Sequence, residues 1–216
     1  MSEEQEEMKI ILLGDCSVGK TSIINRFIGR EFETYELSTI GIEHVRQKLE
    51  IEYENETKNL ILRIYDSAGQ ERYKSISTSY IKGADGIILV FDLSNKESFN
   101  SLIDWMKEIK DNTKIGKNII LVGNKNDVKS EEREVQQKEI DELINNKFKD
   151  IKDLTYMETS AKENYNISQL FENISYKVLD NRKKSGRSRG KTISLHNKSD
   201  IIVENEKKKK CCGKNN

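Results

Sequence analysis

The sequence predicts an α/β fold, with a mostly parallel central sheet, one antiparallel hairpin strand, and helices on both faces. Three observations carry this. The continuous apolar runs GIILVFD (86–92) and NIILVGN (118–124) have the composition of strands buried on both sides. Stretches of helical periodicity alternate with the strands, as in a parallel sheet. Two segments of strict alternation, IEHVRQKLEIEY (42–53) and NLILRIYD (59–66), flank ENET and read as a hairpin.

The elements follow in order. KIILLG (9–14) is a short apolar strand ending in glycine, and helical spacing runs from Lys20 to about Ile28. KESFNSLIDWMKEI (96–109) reads as one helix, with Phe99, Leu102, Ile103, Met106 and Ile109 on its apolar stripe. Residues 134–148 read as another helix, TYMET (155–159) as a short strand, and ISQLFENISYKVLD (167–180) as a last amphipathic helix.

The 216 residues have room for one domain and a tail. Lys/Arg and Asp/Glu balance at 37 each, but unevenly. Residues 182–216 carry 12 basic and 3 acidic side chains, a net of +9, which leaves the rest at −9. The chain is therefore divided into an acidic N-terminal extension (1–7), a folded domain (8–181) and a disordered basic tail (182–216). As a flexible coil the tail would span roughly 30–35 Å. Its charge suits a membrane surface, nucleic acid or plain solubility. No apolar run approaches the ~18 residues of a membrane span, and MSEEQEE lacks the apolar stretch of a secretory signal. Ser2 does not suit N-myristoylation, and three cysteines make no disulfide framework. A soluble cytosolic chain is expected.

Four motifs carry chemistry, each at the C-terminal end of an expected strand, where ligands bind in open α/β sheets. GDCSVGKT (14–21) fits the phosphate-binding pattern G-x4-G-K-[ST] between strand and helix. Its backbone N–H groups (Gly14, Asp15, Cys16, Ser17, Val18, Gly19) form a nest for phosphate at a helix N-terminus. Lys20 reaches the β/γ-phosphates, Thr21 is placed for Mg2+, and Ser22 follows. In DSAGQ (66–70), Asp66 can hold Mg2+ through water, Gly69 lets the backbone approach a γ-phosphate, and Gln70 can orient an attacking water. In NKND (124–127), the Asp127 carboxylate accepts two hydrogen bonds from guanine, which adenine cannot offer as a pair. In ETSAK (158–162), a backbone N–H can read the guanine O6. Taken singly, the last three are also good turn sequences.

Together these motifs resemble a P-loop small GTPase of the Ras superfamily, most of all the Rab family, over about Met8 to Asn181. STIGIEH (38–44) and YDSAGQERYKSISTSYIKGADGIILVFDLSNKESF (65–99) resemble its two switch segments. The resemblance implies that Thr39 closes on Mg2+ and the γ-phosphate, and that Phe32 packs on the guanine. It also implies that Asn124 and Lys125 frame the base, and that Ser160, Ala161 and Lys162 contact its edge. Gln70, Lys20 and Thr39 would serve catalysis. Expected partners are guanine nucleotide, an exchange factor, an activating protein that supplies an arginine, effectors, an escort protein and a dissociation inhibitor. KKKKCC (207–212) resembles a prenylation site at Cys211 and Cys212. It implies anchoring at the cytoplasmic face of an endomembrane or the plasma membrane, with no nucleic-acid role and a monomeric state.

The chain departs from the family pattern at several points. GKNN follows Cys212, and Cys16 and Ser17 stand where small residues or glycine are common. His44, Tyr65 and Tyr80 occupy an effector-reading aromatic triad, and NKFKDIKDLTY (146–156) looks like a surface insertion. Three rival readings stay open: an adenine-specific P-loop enzyme, a GTP-binding membrane scaffold with little hydrolysis, and a GTPase of another branch.

Overall fold

The computed structural model describes residues 6–34, 42–67, 80–113 and 118–186. Six strands form one sheet in the order β2-β3-β1-β4-β5-β6. They are β1 (Glu6–Leu13), β2 (Ile42–Tyr53), β3 (Glu56–Ser67), β4 (Gly86–Asp92), β5 (Ile119–Asn124) and β6 (Thr155–Glu158). All neighbouring pairs are parallel except β2–β3. The helices are α1 (Lys20–Phe27), α2 (Lys96–Asn100), α3 (Leu102–Asn112), α4 (Gln137–Lys147) and α5 (Ile167–Lys184).

The alternation of β1 sorts the core. Met8, Ile10 and Leu12 join the cluster beneath α1 and α5, while Ile11 and Leu13 join the cluster beneath α2, α3 and α4. Every one of these five side chains is fully buried. Phe27 and Phe171 stack with centroids 3.8 Å apart, locking α1 to α5. The expected fold class therefore holds, with helices on both faces.

Several local expectations are corrected. The hairpin link is two residues, not four: Glu54 and Asn55 take φ of 56° and 65°, the left-handed pair of a type I′ turn, so Glu56 and Thr57 belong to β3. The single helix expected over 96–109 is divided at Ser101, and Asn95 caps its start by accepting from Ser98 N at 2.9 Å. Ile103 is 47% exposed, and Trp105, at 4%, takes its place in the core. The stripe runs 99, 102, 105/106, 109, and Ile103 lies just off it.

The stretch after α4 is more than a surface insertion. Phe148 and Ile151 are buried in the core on the α3 side, and Lys110 pairs with Asp150. β1 begins at Glu6 and α5 continues to Lys184, so both extend past the expected limits of the domain. The basic residues 182–184, read from composition as tail, end a helix, where positive charge suits the dipole. Arg182 donates to Glu6 Oε1 at 2.6 Å and to the Glu7 carbonyl at 3.0 Å, and it pairs with Asp85 at 3.1 Å. Lys183 pairs with Glu54 in the β2–β3 turn. Among the described residues, no helix is long and apolar enough to cross a membrane.

Candidate nucleotide-binding site

The loop from β1 to α1 is shaped by backbone constraints. Gly14 has φ +138°, and a Cβ there would lie 2.1 Å from the Val90 carbonyl oxygen of β4. Gly19 has φ +94°, and a Cβ there would lie 2.3 Å from Asn124 Nδ2. Between them, Ser17 holds φ 62°, a left-handed angle uncommon for a side-chain-bearing residue. Val18 buries its side chain in the core and leaves its backbone to the loop. Cys16 is exposed as a free thiol, with Sγ 3.6 Å from Ser17 Oγ.

Lys20 opens α1 and is 5% exposed. Its Nζ donates to the Gly14 carbonyl at 2.9 Å and the Asp15 carbonyl at 2.7 Å, so it lies folded inside the loop. Burial lowers its pKa to about 8, against the opposing pull of Asp66. Thr21 Oγ1 donates to Asp66 Oδ2 at 2.6 Å. The parallel pairing of Leu12 with Asp66 sets this approach by bringing the β3 end beside the loop. Ser22 follows on the first turn of α1.

The base-side loops are built from side chains. Asn124, 1% exposed at the end of β5, donates Nδ2 to the Val18 carbonyl at 2.9 Å and accepts from Thr159 Oγ1 at 3.1 Å. It therefore ties the loop after β1 to ETSAK as well as to its own motif, NKND. Ser160 Oγ donates to Asp127 Oδ1 at 2.5 Å, and Lys162 stands 3.6 Å from Asp127 Oδ2. Lys125, at φ 65°, pairs with Asp92 at 2.6 Å. Ala161 is buried, and Phe32 packs half-buried against the core beneath α1 and α5. Below these loops Arg133 clamps Glu158 with two donors at 3.1 and 2.6 Å, and Tyr156 donates to the same carboxylate at 2.8 Å. Burial and the Glu158 charge push the Tyr156 phenol well above its ordinary value.

The motifs thus converge as the strand-end rule requires. Thr39, Gly69, Gln70, Cys211 and Cys212 lie outside the described residues. The triad positions meet: His44 stacks on Tyr65 at 5.4 Å and Tyr65 tilts against Tyr80 at 5.5 Å. Lys9 adds a cation over both tyrosines, at 4.9 and 5.4 Å, through strand neighbours that the sequence pattern did not single out. Sequence reasoning also missed Asp92, Thr159, Arg133 and Trp105. Trp105 donates Nε1–H to Asp15 Oδ1 at 2.7 Å across 90 residues of chain. Thr159 stood within a quoted motif. The other three carry no local signal, because their partners are distant in sequence.

A family model described as "Ras: Ras family" matches residues 9–180. The chain is 36% identical to the Ras-related protein Rab-13 of Rattus norvegicus over 94% of each chain. It is also 36% identical to the GTP-binding protein ypt1 of Schizosaccharomyces pombe over 80% of each. It is 36% identical to the Ras-related protein Rab-11B of Dictyostelium discoideum, over 77% of this chain and 71% of that one. With the motifs brought to one edge of a sheet of this topology, the chain belongs to the Ras family of small GTPases, in its Rab branch.

Proposed function

We propose that this Rab-like GTPase is a lipid-anchored switch of vesicle traffic, in which Asp127 selects guanine and the Gly14–Thr21 loop holds the phosphates. The observation that carries the reading is Asn124. It bonds the Val18 carbonyl of the phosphate loop and Thr159 of the base-side loop, so both halves of the ligand site share one buried hydrogen-bonded frame. Asp127, held by Ser160, presents its carboxylate beside that frame. A site that pairs a substrate N–H group rejects analogues lacking it.

The Thr21 hydroxyl and Asp66 carboxylate are adjacent hard oxygens, the donor chemistry Mg2+ takes when it also keeps waters and phosphate oxygens. Thr21, Asp66 and, in this reading, Thr39 would hold the ion, which would supply positive charge to offset that of the phosphates. Lys20 turns from the Gly14 and Asp15 carbonyls to the β/γ-phosphates when nucleotide enters. Gln70 and the Thr39 backbone position the attacking water, and Gly69 donates to the γ-phosphate. Phe32 flanks the guanine, Lys125 covers it, and Ser160, Ala161 and Lys162 line its edge. Hydrolysis is slow because catalysis here is positioning and charge stabilisation, and an activating protein adds an arginine worth roughly 10³–10⁵ in rate.

The family relation supports regulators and effectors as partners and association with endomembranes. We assign prenylation to Cys211 and Cys212, with Lys207–Lys210 adding roughly 1 kcal/mol each at an anionic surface. An escort protein and a dissociation inhibitor handle the lipidated form, and the protein acts as a monomer between cytosol and membrane. A second reading, a GTP-binding scaffold with little turnover, is favoured by Ser17 at φ 62° beside the exposed Cys16, two side chains where a smaller residue or glycine would leave more room.

The test is to purify the protein with Mg2+, denature it and chromatograph the released nucleotide. GDP is the expected product. Mostly GTP favours the scaffold, and adenine nucleotide overturns the assignment of Asp127.

A further inference from the structure

Asp15 places a carboxylate in a loop that must hold polyphosphate. Unless that charge is turned aside, it opposes the ligand. The indole Nε1–H of Trp105 meets it at 2.7 Å. The ring is 4% exposed and fixed in the core between α3 and the sheet, so the donor cannot follow a moving loop. A hydrogen bond to an ionised acceptor is about twice as strong as a neutral one. The preceding Gly14 lies hard against the Val90 carbonyl of β4, an approach that does not depend on Lys20. The backbone of Asp15 is thus held by the loop and its carboxylate by α3.

We propose that Trp105 is a positioning residue of the phosphate loop. It holds the Asp15 carboxylate toward α3 and away from the phosphates, and so sets how slowly nucleotide leaves. The proposal rests on the guanine-nucleotide reading above. Trp105 acts only through Asp15.

The experiment follows release of a fluorescent N-methylanthraniloyl GDP into excess GDP with Mg2+ present, by direct excitation of the label. Trp105→Phe keeps a ring and removes the donor, and release should quicken about 10-fold, the effect of losing a hydrogen bond to a charged group. The double variant W105F/D15N separates this role from packing. With no charge at position 15, release should return to within about threefold of D15N alone, because the two sites are coupled. Packing alone would give the same acceleration with Asp or Asn at 15. Asp15→Glu leaves the core untouched and lengthens the acid. It should also speed release, and it carries the test if W105F does not fold. The proposal falls if W105F or D15E releases at the unsubstituted rate, or if W105F speeds release as much in the D15N background as it does with Asp at 15. If the unsubstituted protein holds no labelled GDP, the nucleotide reading falls as well.

Discussion

The phosphate side and the base side of the site are built differently. The Gly14–Lys20 loop is contiguous chain, shaped by positive φ at Gly14, Ser17 and Gly19, the two glycines leaving no room for a Cβ against Val90 and Asn124. The base side joins β5, β6 and their loops through side-chain bonds spanning 33 and 35 residues, and Asn124 ties it to Val18 across 106. In the proposed reading, phosphate is held by backbone geometry, which every nucleoside triphosphate can use, and the base is read by side chains, which can discriminate. Changes on the base side should therefore alter which nucleotide binds, whereas changes on the phosphate side should weaken all of them together.

Asp127→Ala should have the largest effect. Losing two hydrogen bonds to a charged acceptor at about 1.5–3 kcal/mol each lowers GDP affinity on the order of 10²–10⁴-fold. ADP affinity should not move, and competition titration with both nucleotides measures this. Asn124→Ala attacks the joint between the sides. It leaves the Val18 carbonyl without its Asn124 donor and removes the acceptor of Thr159, at about 1–3 kcal/mol, and should speed GDP release about 10- to 100-fold. Equal weakening of GDP and ADP would place that joint with the phosphate side.

Lys20 supplies a pH test of the phosphate side alone. Its lowered pKa, about 8 in the nucleotide-free protein, means that above pH 8 it sheds a proton that phosphate binding must restore. GDP affinity should then fall with rising pH by up to about tenfold per unit. The nucleotide-free fold behaves oppositely. Between about pH 8 and the ordinary lysine value the unfolded chain holds the proton that the folded one has lost, so this group's contribution to stability rises. Calorimetric titration and thermal unfolding across pH 7–9.5 read the two signs. The smallest effect is expected from Ser17→Gly. Relief of a left-handed angle worth about 1 kcal/mol, partly offset by glycine's freedom when unfolded, should raise the Tm by about 1–3 °C.

The same contrast decided what could be read from the sequence. The phosphate loop is one short word between a strand and a helix, so its residues and role were legible. Fold class and strand positions followed from apolar runs and alternation. The base-side motifs were legible as words, but their mutual bonds were not, since nothing in NKND points to Ser160. Ile103 was misplaced because a stripe spaced three and four tolerates either 103 or 105, and only packing against the sheet chooses the indole. The tail boundary was misjudged for a related reason. Composition turns basic at 182, yet Arg182 is retained in the helix by three acceptors, two on β1 and one on Asp85, the residue before β4.

That clasp has a mechanical consequence. Arg182 and Lys183 fasten the end of α5 to the first residues of β1, to Asp85 and to the hairpin tip, at the pole of the sheet away from the phosphate loop. A pull applied through Gly186 is therefore shared among β1, Asp85 and the β2–β3 turn. It runs along β1, a strand hydrogen-bonded on both sides, before it can disturb Gly14. The clasp acts as a strain relief, like the grip where a cable enters a plug: a pull on the chain beyond α5 is spread over these ion pairs before it reaches the loop at Gly14.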